Sequence, residues 1–86
     1  MREYQYWALH EDGQVAFAGI RKLRVCSASV ARNMVRRWLK WAREYVATNP
    51  GDYPLADSVR QLPVNPVVQI RLHPCGERHK CQSFDV

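Results

Sequence analysis

The chain has 86 residues, 13 Lys+Arg against 8 Asp+Glu, a formal net charge of +5 and 47% hydrophobic residues. A chain this short buries only a little over ~60% of the surface it exposes when unfolded, which supports one core and excludes a multi-domain enzyme. Its longest apolar stretch, Val15 to Ile20, contains a glycine and falls far short of the ~20 residues that cross a bilayer.

The opening residues Met1 to Trp7 carry charged and amide side chains where a secretory signal needs an apolar run. The expectation is therefore a cytoplasmic protein that does not engage membranes. Residues 4–10 and 14–25 are rich in aromatic and apolar side chains and flank Asp12-Gly13, a pairing that predicts two strands joined by a two-residue hairpin turn. That turn sets Glu11 opposite Gln14 and Ala8 opposite Phe17. One face of the ribbon then carries Tyr4, Tyr6, Ala8, Val15, Phe17 and Gly19, and the other Trp7, Leu9, Ala16, Ala18 and Ile20. The alanines of the second face leave room for a helix, so that face is expected to be the core side. Gly19 interrupts the second strand and is expected to mark a bulge.

A helix is predicted over about 29–48. Ser27-Ala28-Ser29 offers N-caps, no Pro or Gly occurs from Val30 to Thr48, and Asn49-Pro50-Gly51 stops the run. Trp41, Met34, Tyr45, Trp38, Ala31, Ala42, Val35, Val46 and Leu39 fill one half of its wheel. That half is wider than the ~100° stripe needed to pack on one sheet. Trp41 and Leu39 stand at opposite borders of it, so either the following segment or a partner must cover one of them.

Residues 49–66 hold four of the five prolines and read as a structured connection, in which Leu55 to Leu62 can form a short helix. Val68, Ile70 and Leu72 then alternate with Gln69, Arg71 and His73, the pattern of a half-buried strand over about 67–73. A turn at Cys75-Gly76 leads to a last strand over about 79–86, with Phe84 and Val86 inward. The predicted fold is a single α+β domain over 1–86, in which two β-hairpins form an antiparallel sheet with one long amphipathic helix across it, in β-β-α-β-β order.

Cys26, Cys75 and Cys81 are odd in number, which favours reduced thiols over a disulfide framework. His73, Cys75, His79 and Cys81 raise the question of zinc. With Gly76 at the centre of the turn, His73 lies opposite His79 and both cysteines share that face, and a slip of one residue destroys the arrangement. One flat hairpin wraps poorly around a tetrahedron, so solvated turn residues are expected, with no metal and no cofactor.

The charge is local. Residues 28–48 hold Arg32, Arg36, Arg37, Lys40 and Arg43 against Glu44 alone, while the flanking segments are nearly neutral. Arg32/Arg36 and Arg36/Lys40 are like-charged at four-residue spacing, each unfavourable by about 0.2–0.5 kcal/mol, so helix stability does not account for them. These five cations, with Trp41 beside them, form the predicted partner-binding surface. Arginine outnumbers lysine ten to three, which suits bidentate contact with carboxylate or phosphate.

Helix-turn-helix, KH, RRM and zinc-finger signatures are all missing, although Tyr4, Tyr6 and Phe17 offer rings on which bases can stack. His10-Glu11-Asp12 sits at a hairpin tip with no implied cavity, and the glycines match no phosphate-binding loop. Catalysis is not expected. In size, compactness and want of catalytic machinery the chain resembles the small inhibitor proteins of bacterial phages, anti-CRISPR proteins among them. The expected function is a non-enzymatic interaction or inhibitor protein that docks its basic helix on an acidic surface of a larger partner, such as a nucleic-acid-handling complex. Direct binding of DNA or RNA is the alternative, and a homodimer covering the Trp41 or Leu39 border is a further expectation to test.

Overall fold

The computed structural model describes all 86 residues, in the order β1 (Arg2–His10), β2 (Val15–Leu23), α1 (Ala28–Thr48), α2 (Tyr53–Gln61), β3 (Val67–Pro74), a single 3-10 turn (Arg78–Lys80) and β4 (Gln82–Asp85). The class is α+β as expected, but the order is β-β-α-α-β-β, because the Pro-rich connection contains a second helix. The four strands form one antiparallel sheet in the order β2-β1-β3-β4.

The first turn differs from the expected one. A type I′ turn needs positive φ at both central residues, yet only glycines have it here, Gly13 at 84° among them. The His10 carbonyl accepts from the Gly13 N–H at 2.9 Å, and the His10 N–H donates to the Gln14 carbonyl at 2.9 Å. This is a three-residue loop with Gly13 in the left-handed position, and the Asp12 carboxylate accepts the Gln14 N–H at 2.9 Å. The loop sets Leu9 opposite Val15, and an irregularity before it leaves Ala16 unpaired and brings Ala8 opposite Phe17. The predicted pairing is thus reached by another route, and the bulge lies at Ala16, whereas Gly19 stays in register with Tyr6.

The core face of the ribbon is the reverse of the one expected. Ala8, Ile70 and Leu72 are buried from the sheet side against Ala31, Met34 and Val35 of α1 and against Leu23, with Tyr4, Tyr6 and Phe17 packed around them. The opposite face is covered only in part: Leu9 and His73 are buried, but Ile20 is 64% exposed, Ala18 is exposed, and half-buried Trp7 rests edge-on against His73. The register explains the inversion. Ala8 pairs with Ile70 and Tyr6 with Leu72, and these β3 residues alternate with the polar Gln69, Arg71 and His73, so β3 dictates which face of β1 turns inward.

Helix α1 begins where Ser27 accepts the Val30 N–H on its hydroxyl at 3.4 Å, satisfying one of the first-turn donors. Asn49 ends it, donating from its backbone and its side chain to the Tyr45 carbonyl. Among the strands, the backbone of α1 approaches β3 and β4 most closely. Large rings fill the remaining space over β1 and β2: Phe17 stacks on Trp38 with centroids 4.3 Å apart and planes 9° apart, and Tyr6 meets Phe17 edge-on at 6.2 Å.

Helix α2 starts at Tyr53, two residues before the predicted short helix, because Asp52 caps the Leu55 N–H and Pro54 sits in the first turn, where no backbone donor is needed. It contacts α1, and Ala42, Ala56 and Leu62 are buried. Leu39 shares a hollow of about 400 Å³ with Leu62, Pro63, Pro66 and Val67. The connection therefore folds back along the Leu39 border, and the Trp41 border stays open.

In the last hairpin Leu72 pairs with Gln82 and Ile70 with Phe84. Phe84 turns inward as expected, but Val86 is 40% exposed. The 3-10 turn takes up residues expected in the strand, so the register moves and Cys81, not His79, comes beside His73.

Candidate interaction surface

Each residue of the predicted basic face, Arg32, Arg36, Arg37, Lys40 and Arg43, is exposed along α1. From Arg32 to Arg43 the helix rises about 16 Å at 1.5 Å per residue. The ion pairs of the molecule lie elsewhere: Arg2 and Lys80 on Glu77, and Arg60 on Asp57. Burial alone would raise the Glu77 carboxyl pKa, but the Arg2 and Lys80 cations together hold it below the ordinary carboxylate value. The ion pairs thus engage none of the cations of the basic face, whose helix carries Glu44 as its one acid.

The fold enlarges that face. Arg21, Lys22 and Arg24, at the end of β2, line a shallow hollow of about 190 Å³ together with Arg37 and Asn33 of α1. No Asp or Glu occurs anywhere between Arg21 and Arg43, a stretch that carries eight cations. That stretch has a charge of +8 and the rest of the chain −3. The acids of the first hairpin, Glu3, Glu11 and Asp12, offset Arg21, Lys22 and Arg24 in any sum over that segment, and the signal in the sequence is the uninterrupted run without an acid.

Beside these cations lies a cleft of about 250 Å³ between β2 and α1. Tyr6, Phe17, Met34, Trp38 and Trp41 line it, and Arg21 and Arg37 complete the lining. Trp41 is 51% exposed and stacks on Tyr45 with centroids 5.2 Å apart. Of the predicted surface residues, Arg37 and Trp41 therefore meet at this aromatic opening, whereas Arg43 lines the hollow at the opposite, Leu39 border. In contrast, Tyr4, Tyr6 and Phe17 do not form an open stacking platform, because they pack against the core under α1.

The His and Cys residues of the last hairpin do not converge. His73 is buried and donates from Nδ1 to its neighbour's Pro74 carbonyl at 2.8 Å, while His79 is exposed on the 3-10 turn. His73 and Cys81 line one hollow with Gln5, Trp7 and Arg78, yet no three His, Cys, Asp or Glu side chains come together. All three cysteines are free, and burial, with a smaller effect of Cys81, pushes the Cys26 thiol pKa up. No helix is long and apolar enough to cross a membrane.

No protein family, curated protein or solved structure matches this chain.

Proposed function

We propose that the protein is a non-enzymatic interaction module, of inhibitor type, that docks the basic face of α1 on an acidic surface of a larger protein partner, within a nucleic-acid-handling complex. The observation that carries this reading is the run of eight cations from Arg21 to Arg43, exposed or half-buried and without one ion pair. Residues of this kind repel one another in the free protein, and an anionic partner relieves that repulsion. Arg32, Arg36, Arg37, Lys40 and Arg43 supply the contacts, and Trp41 supplies an apolar anchor, since aromatic and arginine side chains dominate interface energetics.

The test is capture of the partner from lysate by the parent protein and by the Arg36→Glu, Lys40→Glu double variant. Loss of capture with an unchanged circular dichroism spectrum is expected, and unchanged capture overturns the helix-face assignment. A second reading, direct DNA or RNA binding, is favoured by one feature: the border left open is aromatic, and rings stack on bases. Micromolar affinity for a labelled duplex or single strand, falling steeply between about 50 and 200 mM salt, would establish that reading in place of the first.

A further inference from the structure

Strand β2 is an edge of the sheet along its whole length, Val15–Leu23, and pairs only with β1. From Phe17 to Leu23 its register against β1 is unbroken, so seven consecutive residues present a regular row of outward N–H and C=O groups at alternate positions. Edges of this kind are usually blunted by proline, by a bulge or by a covering element. Here the bulge lies outside the regular stretch, no proline occurs in β2, and α1 is displaced toward β3 and β4. Charge is the remaining protection, in Arg21, Lys22 and Arg24.

The aromatic cleft adjoins this edge. Gly19 is what lets Tyr6 reach it: a Cβ at position 19 would stand 2.9 Å from the Tyr6 hydroxyl, so the ring occupies the space over β2 that a side chain would fill. The cleft therefore combines an aromatic lining with Arg21 and Arg37 next to an unpaired backbone ladder.

We infer that β2 receives an extended acidic segment of the partner by strand addition, with one large apolar side chain of that segment entering the cleft and its carboxylates meeting Arg21 and Arg37. This rests on the reading that the partner is an acidic protein, and it names the manner of docking. Charge complementarity selects the occupant. A second copy of this chain would bring the same unpaired cations to the seam. A nucleic acid would answer the charge and the rings but leave the backbone groups of the edge without donors and acceptors, whereas an acidic peptide satisfies all three.

The experiment titrates the protein with a blocked peptide of alternating Glu and Thr carrying one central Phe, following the emission of Trp38 and Trp41. A matched peptide is N-methylated at alternate backbone positions, which keeps the charge and removes the ladder donors. The expected result is saturable binding of the first peptide, weakened about tenfold or more by N-methylation and weakened also by Phe→Ala in the peptide and by Arg37→Glu in the protein. Equal binding of the methylated peptide overturns strand addition and leaves the acidic-partner reading standing. Equal binding of the Phe→Ala peptide overturns the role of the cleft. If neither peptide binds while the Arg36→Glu, Lys40→Glu variant still loses its partner, strand addition fails and the docking reading survives. If oligothymidylate binds and the peptides do not, both are overturned in favour of nucleic acid, and dimerisation through β2 in sedimentation overturns the assignment of this edge to a partner.

Discussion

Replacing Arg36 with Glu is expected to make the domain more stable while making it a poorer binder. Arg36 has two like-charged neighbours at four-residue spacing, Arg32 and Lys40, and no ion-pair partner. Each repulsion costs about 0.2–0.5 kcal/mol, and an opposite-charge pair at that spacing contributes about the same with the other sign. Reversing the charge changes both pairs, a gross gain of roughly 1–2 kcal/mol, which exposure and screening reduce to about 1 kcal/mol at low salt. For a domain of this size that raises Tm by about 4–8 °C. Thermal melts followed by circular dichroism at low and at high salt measure it, with Arg36→Gln expected to fall between parent and Glu variant and with all three converging as salt is added. A Glu variant that melts at or below the parent at low salt would refute the reasoning, because it would show that Arg36 makes a favourable contact within the folded protein.

Ile70→Ala removes a side chain with no exposure at the centre of the sheet; the expected loss is about 2–5 kcal/mol out of a total near 4–13 kcal/mol, read from the urea midpoint, and a loss below about 1 kcal/mol would contradict the packing described. The lowered Glu77 pKa means that its ion pairs stabilise the fold above the ordinary carboxylate pKa and that this contribution disappears as pH falls through the lowered value. Stability measured down into the acid range should fall less steeply in Glu77→Gln, and identical acid limbs would remove the ion pairs from the account. Iodoacetamide at mildly alkaline pH should modify exposed Cys81 well before Cys26, whose thiol is held protonated chiefly by burial; mass spectrometry showing Cys26 modified first would contradict its environment.

Elements whose signals are local were legible in the sequence. Ser27, the unbroken run to Thr48 and the Asn49-Pro50-Gly51 stop define α1 to within one residue of its observed span. The alternation of β3 identified Ile70 and Leu72 as inward. The core face of the first hairpin was not legible, because both of its faces are apolar and a period of two carries no polarity there. What decides it is the pairing of Ala8 with Ile70 and Tyr6 with Leu72, a contact between segments some sixty residues apart. Small alanines do not mark the core side for a related reason: among the strands α1 settles nearest β3 and β4, and the space over β2 calls for rings such as Phe17 and Trp38. The basic helix face was visible as a wheel pattern, but its extension to Arg21, Lys22 and Arg24 depends on β2 ending beside α1.

The separation of charge within the fold permits a test that net charge alone cannot satisfy. Arg71 lies on the sheet face that α1 does not cover, exposed, opposite Trp7, with its guanidinium donating to the Gln69 side chain at 3.0 Å. Arg71→Glu and Arg36→Glu change the overall charge by the same amount, so a partner attracted by the bulk field of a +5 protein would lose affinity equally from both. Docking on the stretch from Arg21 to Arg43 requires a different outcome, because short-range pairs in a desolvated contact dominate the dissociation rate while remote charges act through a field screened within about 8–10 Å at ordinary salt. Arg36→Glu should therefore speed dissociation of the captured partner, and Arg71→Glu should leave it near the parent value. Equal effects of the two substitutions, at equal ionic strength, would show that attraction is diffuse and that the alignment of cations along α1 and the end of β2 has no directional consequence.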